Sequence, residues 1–173
     1  MVYFLVIGIP ISLCQVGREL DFIQVTRLLI VFIFSENGMT GISAIFLSLL
    51  CVISIPDSIG TLKSLTKLKL YCTKLLQIPD SIGNPTMLTE LNLYSNRLNF
   101  LPEAIGNLVS LTTLDVTDNL LAQLPDSIGD LISLTSLNVG NNQLTHLPEC
   151  IGRLTCLTVL EVYSNKLIEF LIR

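Results

Sequence analysis

At 173 residues the chain suffices for one ordinary domain, and with half its residues hydrophobic and 14% charged it is no disordered tail. A formal net charge of −4 argues against a nucleic-acid backbone as the main partner, because that partner requires a clustered positive face. Cys14, Cys51, Cys72, Cys150 and Cys156 contain no C-x-x-C pair, which argues against zinc and redox motifs; so sparse a set favours a reducing compartment over a disulfide framework.

Residues 1–54 are strongly apolar, with runs at 1–14, 28–34 and 42–55. A secretory signal needs a basic start, yet the first basic residue is Arg18. A membrane span needs about twenty consecutive apolar residues. Each run is broken before that length, residues 39–55 coming nearest. Carrying back the 23-residue period of the following segment gives another reading. Ile42, Ile45, Leu47 and Val52 fall on the apolar positions of Leu65, Leu68, Leu70 and Leu75. Ile9-Pro10, Leu20, Ile23, Val25 and Ile30 fit after a one-residue slip. Residues 9–54 are therefore expected to be two degraded repeats, with a signal or membrane-inserted hairpin as the alternative and an artefactual start as the third reading.

From 55 to 169 five blocks of 23 residues follow without a gap. They open as Ile55-Pro56-Asp57, Ile78-Pro79-Asp80, Leu101-Pro102-Glu103, Leu124-Pro125-Asp126 and Leu147-Pro148-Glu149. Each passes through an Ile-Gly step, the first at Ile59-Gly60 and the last at Ile151-Gly152, into an L-x-x-L-x-L-x-x-N-x-L core. The clearest core is Leu88, Leu91, Leu93, Asn96 and Leu98. In x-L-x-L-x the apolar residues alternate, so both point to one side of a short strand. One such strand cannot bury its face; stacked copies build a parallel sheet over a continuous core. Asn96, Asn119, Asn142 and Asn165 stand where the chain turns inward and are expected to satisfy turn backbone as a ladder, with Thr73 in the first copy. Proline and glycine should break regular structure on the return, and the acid after each proline reads as a solvated charge at the start of a helical turn. The expected fold is an α/β solenoid, a leucine-rich repeat horseshoe with a concave parallel β-sheet and short helical or irregular convex segments.

The P-[DE]-x-I-G-x-L-x-x-L form resembles the intracellular 23-residue class of leucine-rich repeats, and within it the Ras-group scaffold proteins of the Ras-suppressor and Scribble-like types. The likeness covers about two thirds of the chain and is far more specific for fold than for family member. It implies a protein-binding scaffold in signalling or polarity, with a small GTPase pathway component as the partner and a cytoplasmic location. Residues 170–173 would begin a sixth repeat, with no polar cap after them.

Binding in such a fold should use the outward strand residues. These are Lys67, Lys69 and Tyr71; Glu90, Asn92 and Tyr94; Thr113, Asp115 and Thr117; Asn138; and Glu161 with Tyr163. Tyrosines at 71, 94 and 163 share one repeat position and suit an interface, offering a rigid ring plus a hydroxyl. Residues 55–77 carry Lys63, Lys67, Lys69 and Lys74 against Asp57, whereas 101–123 carry Glu103, Asp115 and Asp118 with no base. His146 stands alone in a loop before Leu147-Pro148, which gives general acid–base chemistry little to work with. No phosphate-loop, dinucleotide, zincin or nucleophile-elbow motif occurs, so neither an enzyme nor a cofactor or metal is expected. The competing functions are an intracellular scaffold, the recognition part of a membrane-attached receptor held through residues 1–54, and an uncapped fragment that self-associates.

Overall fold

A computed structural model describes residues 33–34, 44–48 and 54–168. The expected features before residue 33 (most of the first degraded repeat and the 1–14 apolar run) and after residue 168 lie outside the described residues.

Among the described residues one sheet of seven strands runs in chain order. Its members are β1 (Ile33–Phe34), β2 (Ala44–Ser48), β3 (Lys67–Tyr71), β4 (Glu90–Asn92), β5 (Thr113–Asp115), β6 (Ser136–Asn138) and β7 (Val159–Glu161). From β2 to β7 every neighbour is parallel and one repeat away: Ile45 faces Leu68, then Leu91, Leu114, Leu137 and Leu160 follow in line. On its other side β2 meets β1 antiparallel, with Ile33 opposite Ile45, where a further repeat would present a parallel strand.

Each return segment is a 3-10 turn, at Asp57–Thr61, Asp80–Gly83, Glu103–Asn107, Asp126–Asp130 and Glu149–Arg153. The proline before each turn is extended, and its carbonyl accepts the N–H of the Ile three residues on, as for Ile105 to Pro102 at 3.0 Å. Proline thus stops the preceding segment and supplies the first acceptor of the turn. The glycine acts differently from the expectation. A Cβ placed on Gly83 would lie 2.2 Å from the Ala104 carbonyl oxygen of the next repeat. Glycine is required there because successive turns stack backbone on backbone, not because the chain bends. The acids are less uniformly solvated than expected, since Glu103 Oε2 accepts the Ser127 N–H of the next turn at 3.1 Å.

Between sheet and turns lies the core. Leu88, Leu91, Leu93, Leu98 and Ile105 are fully buried, as are Leu111, Leu114, Val116, Leu121 and Ile128 one repeat later. Each such side chain contributes about 2 kcal/mol of apolar burial relative to exposure. In the last described repeat the layer opens: Leu160 is 39% exposed where Leu137 is fully buried.

Candidate binding face

The strands that bury leucine on one side present the expected lane on the other. Lys67, Tyr94, Glu161 and Tyr163 are exposed, and Lys69, Tyr71, Glu90, Asn92, Thr113, Asp115 and Asn138 are half-buried. Several of these side chains are engaged with one another. Lys69 Nζ pairs with Glu90 at 2.6 Å, and Asn92 Nδ2 donates to Asp115 Oδ2 at 3.3 Å. Asn138 Nδ2 donates to Glu161 across the next pair of strands. Asn92, Asp115 and Asn138 also turn an oxygen to the N–H two residues on, at Tyr94, Thr117 and Gly140. This row is therefore both surface and brace.

Thr117 departs from the expectation. Strand alternation points it outward as a contact residue, yet it is 4% exposed and its Oγ1 has no hydrogen-bond partner among the described residues. The residues in its row explain the exception: Tyr94 stands one repeat before it, and Gly140 one repeat after lies under the ring of Tyr163. A Cβ on Gly140 would lie 2.5 Å from Tyr163 Cζ. Thus Tyr163 leans back across the sheet and the small residues form a floor beneath the rings.

Beyond this row the chain enters left-handed backbone at Cys72, Ser95, Asp118, Asn141 and Ser164, with φ between 48° and 57°. Asn and Asp tolerate that region better than other non-glycine residues. The bend lets the N–H of Ser95 reach the Thr117 carbonyl at 2.9 Å, extending the ladder past the strands. It also sets Asp118 beside Tyr94 and Asn141. Asn141 Nδ2 donates to Asp118 Oδ1 at 2.6 Å. The Tyr94 phenol is hydrogen-bonded to the Asp118 side chain, which together with that carboxylate's charge raises its pKa above the usual 10.0.

The next residue is the turn asparagine, which faces inward. Asn119 Nδ2 donates to the carbonyls of Leu93, Val116 and Thr117 at 3.0, 3.0 and 3.1 Å, and its Oδ1 accepts the Leu98 N–H at 3.0 Å. Asn96 and Asn142 repeat the arrangement in buried positions, and Asn165 does so half-buried. Thr73 joins the ladder through its hydroxyl, 2.9 Å from Asn96 Oδ1.

A second ladder, formed by threonines, runs beside the first. Thr89, Thr112, Thr135 and Thr158 each donate a hydroxyl to the carbonyl of the threonine one repeat earlier, at 2.9 to 3.0 Å, ending on Thr66. The signal was present as an unbroken threonine after the first core leucine of all five blocks.

His146 is exposed, with its Nδ1 3.1 Å from Thr145 Oγ1, and Cys72, Cys150 and Cys156 are free thiols. Among the described residues no group of three or more His, Cys, Asp or Glu could hold a metal ion.

Comparison with known proteins agrees with this architecture. The family model of the leucine-rich repeat region matches residues 80–170. No match is found among curated proteins. Among solved structures the chain is similar to a leucine-rich repeat protein of Leptospira interrogans, at 34% identity and a TM-score of 0.52, over 68% of this chain and 36% of that one. It is similar to the ectodomain of the Arabidopsis thaliana membrane receptor kinase GASSHO1/SCHENGEN3, solved with CASPARIAN STRIP INTEGRITY FACTOR 2, at 31% identity and a TM-score of 0.69. That match covers 76% of this chain but only 16% of the ectodomain. The ectodomain of the Arabidopsis receptor kinase SOBIR1 matches at 26% identity and a TM-score of 0.63, over 71% of this chain and 70% of that one. The tandem strands, the asparagine ladder and the family match over residues 80–170 together place the chain in the leucine-rich repeat family.

Proposed function

We propose that the chain is a protein-binding scaffold or adaptor module that captures its partner on the concave sheet face. The observation that carries this reading is the tyrosine-bearing outer row of a sheet whose backbone is fixed by two side-chain ladders. Such a surface has little conformational entropy to lose on contact, so its exposed rings are available for affinity. Membership of the leucine-rich repeat family supports a binding module.

The finer part of the proposal is intracellular signalling of the Ras type, with a small GTPase pathway component as partner and a cytoplasmic location. It rests on the resemblance of the repeats to Ras-suppressor and Scribble-like proteins, and the free thiols fit a reducing compartment. Residues 9–54 are proposed as two degraded repeats, a reading supported in its second copy by the in-register pairing of β2 with β3 and opposed in its first by the antiparallel β1 on the other side of β2. The alternative is the recognition part of a membrane-attached receptor. Two receptor-kinase ectodomains among the similar structures favour it. Among the described residues no helix is long and apolar enough to cross a membrane.

The test uses the full chain in cells. Proximity labelling is compared between the chain and a variant carrying Tyr94→Ala with Asp115→Asn, and membranes are washed with alkaline carbonate. The scaffold reading expects soluble chain and partner labelling lost in the variant with an unchanged circular-dichroism spectrum. Undiminished labelling would overturn the concave face as the binding surface, and retention in the washed pellet would favour the receptor.

A further inference from the structure

We propose that the concave face centred on the third 23-residue block, with Tyr94 of the second and Tyr163 of the fifth beside it, seats the guanidinium of an arginine carried on an extended segment of the protein partner. This deepens the concave-face reading and rests on it.

Three observations converge on this place. From Leu98 to Gly152 the sequence carries Glu103, Asp115, Asp118, Asp126, Asp130 and Glu149 and neither lysine nor arginine. Two of these acids, Asp115 and Asp118, stand half-buried at the sheet face and its rim. Asp115 accepts from Asn92 and from the Thr117 N–H, and Asp118 from Asn141 and Tyr94. A carboxylate has about four acceptor sites, so both retain capacity for a further donor. Among the described residues the ion pairs are Lys69–Glu90 and Arg153–Asp130, and neither involves Asp115 or Asp118, which leaves both carboxylates for a cation supplied by the partner.

The second observation is independent of charge. Between those two acids lies Thr117, 4% exposed, with a hydroxyl that meets no hydrogen-bond partner. Strand alternation directs it to the same face as Asp115. Buried hydroxyls are ordinarily matched, and an unmatched one is costly. A donor entering between the carboxylates would match it.

The third observation selects among cations. Tyr94 and Tyr163, 38% and 50% exposed, stand on the row of Thr117 with Gly140 between them, so two phenol rings rise beside a floor of small side chains. A guanidinium is planar and weakly hydrated, stacks on aromatic faces and offers five N–H donors in a fixed fork. It can address a carboxylate, the Thr117 hydroxyl and a ring face together. A lysine ammonium, a strongly hydrated point charge, has no such fork.

The test is an amide-resolved NMR titration of the full chain with a blocked Ser-Thr-Arg-Thr-Ser peptide and with the same peptide carrying citrulline, which keeps the shape and loses the charge. Saturable shifts centred on Tyr94, Asp115, Thr117 and Asp118 are expected. Binding should weaken about tenfold or more with citrulline, as for loss of a charge-assisted hydrogen bond. Asp115→Asn with Asp118→Asn should abolish it. That variant keeps the fold because Asn92, Asn138 and Asn141 already occupy the equivalent positions of neighbouring repeats. Thr117→Val should weaken binding severalfold without lowering the urea midpoint. Equal binding of both peptides at these amides overturns the guanidinium seat and leaves the concave face standing. Shifts confined to the 3-10 turns overturn both. Absence of saturable shifts overturns the seat alone, because the labelling experiment judges the face separately.

Discussion

Replacing Asn119 by alanine removes a side chain that ties its own repeat to the one before it. Its Nδ2 group reaches three carbonyls and its Oδ1 accepts the Leu98 N–H, all at 3.0 to 3.1 Å, with the residue 5% exposed. Two N–H donors and one acceptor make about three net hydrogen bonds, each contributing about 1 kcal/mol, and the stranded Leu98 N–H adds a desolvation penalty of similar size. The expected loss is therefore about 4 kcal/mol. For a domain of this size that moves the urea midpoint down by roughly 2 M at unchanged slope. Asn165→Ala removes the same hydrogen-bonding chemistry at a half-buried site, where water can take over the freed groups, so about half that loss is expected. Urea denaturation followed by circular dichroism on both variants decides the matter. A loss below about 1 kcal/mol for Asn119→Ala, or equal losses at the two sites, would refute the claim that buried ladder bonds hold the repeats in register.

Two other predictions address separate features. Gly83→Ala places a Cβ 2.2 Å from the Ala104 carbonyl and should cost about 2 kcal/mol by forcing repeats apart. Gly152→Ala meets nothing within 4 Å and should be neutral or stabilising by up to about 1 kcal/mol; similar denaturation shifts for the two would contradict the stacking explanation. For Tyr94, the hydrogen bond to Asp118 favours the neutral phenol, so its folded pKa lies above the usual 10.0. The folded state then binds the proton more tightly than the unfolded chain. That stabilisation is complete below pH 10 and is lost as pH rises through the folded value. Ultraviolet titration in a Tyr3→Phe, Tyr71→Phe, Tyr163→Phe background, which leaves Tyr94 as the one tyrosine, should show Asp118→Asn lowering the Tyr94 midpoint towards its ordinary value; an unmoved midpoint would remove Asp118 as the cause.

The sequence alone determined the repeat, its period and which residues face inward. Those properties are local and periodic: x-L-x-L-x alternation decides a strand's two sides, and a 23-residue interval decides which leucines stack. Proline before an acid and asparagine after the strand announced turns for the same local reason. What tertiary structure decided concerns contacts between copies. Glycine in the Ile-Gly step reads as a bend, but only the neighbouring turn at Ala104 shows that a Cβ would not fit. The threonines after the first core leucine read as polar filler until strand register sets each hydroxyl on the previous carbonyl. The lane residues read as uniformly free, whereas Asn92, Asp115 and Asn138 hold backbone and one another. Thr117 reads as one more outward polar residue. Its burial depends on what stands in the same row of other repeats, Tyr94 on one side and Gly140 under Tyr163 on the other, which no rule of strand alternation contains.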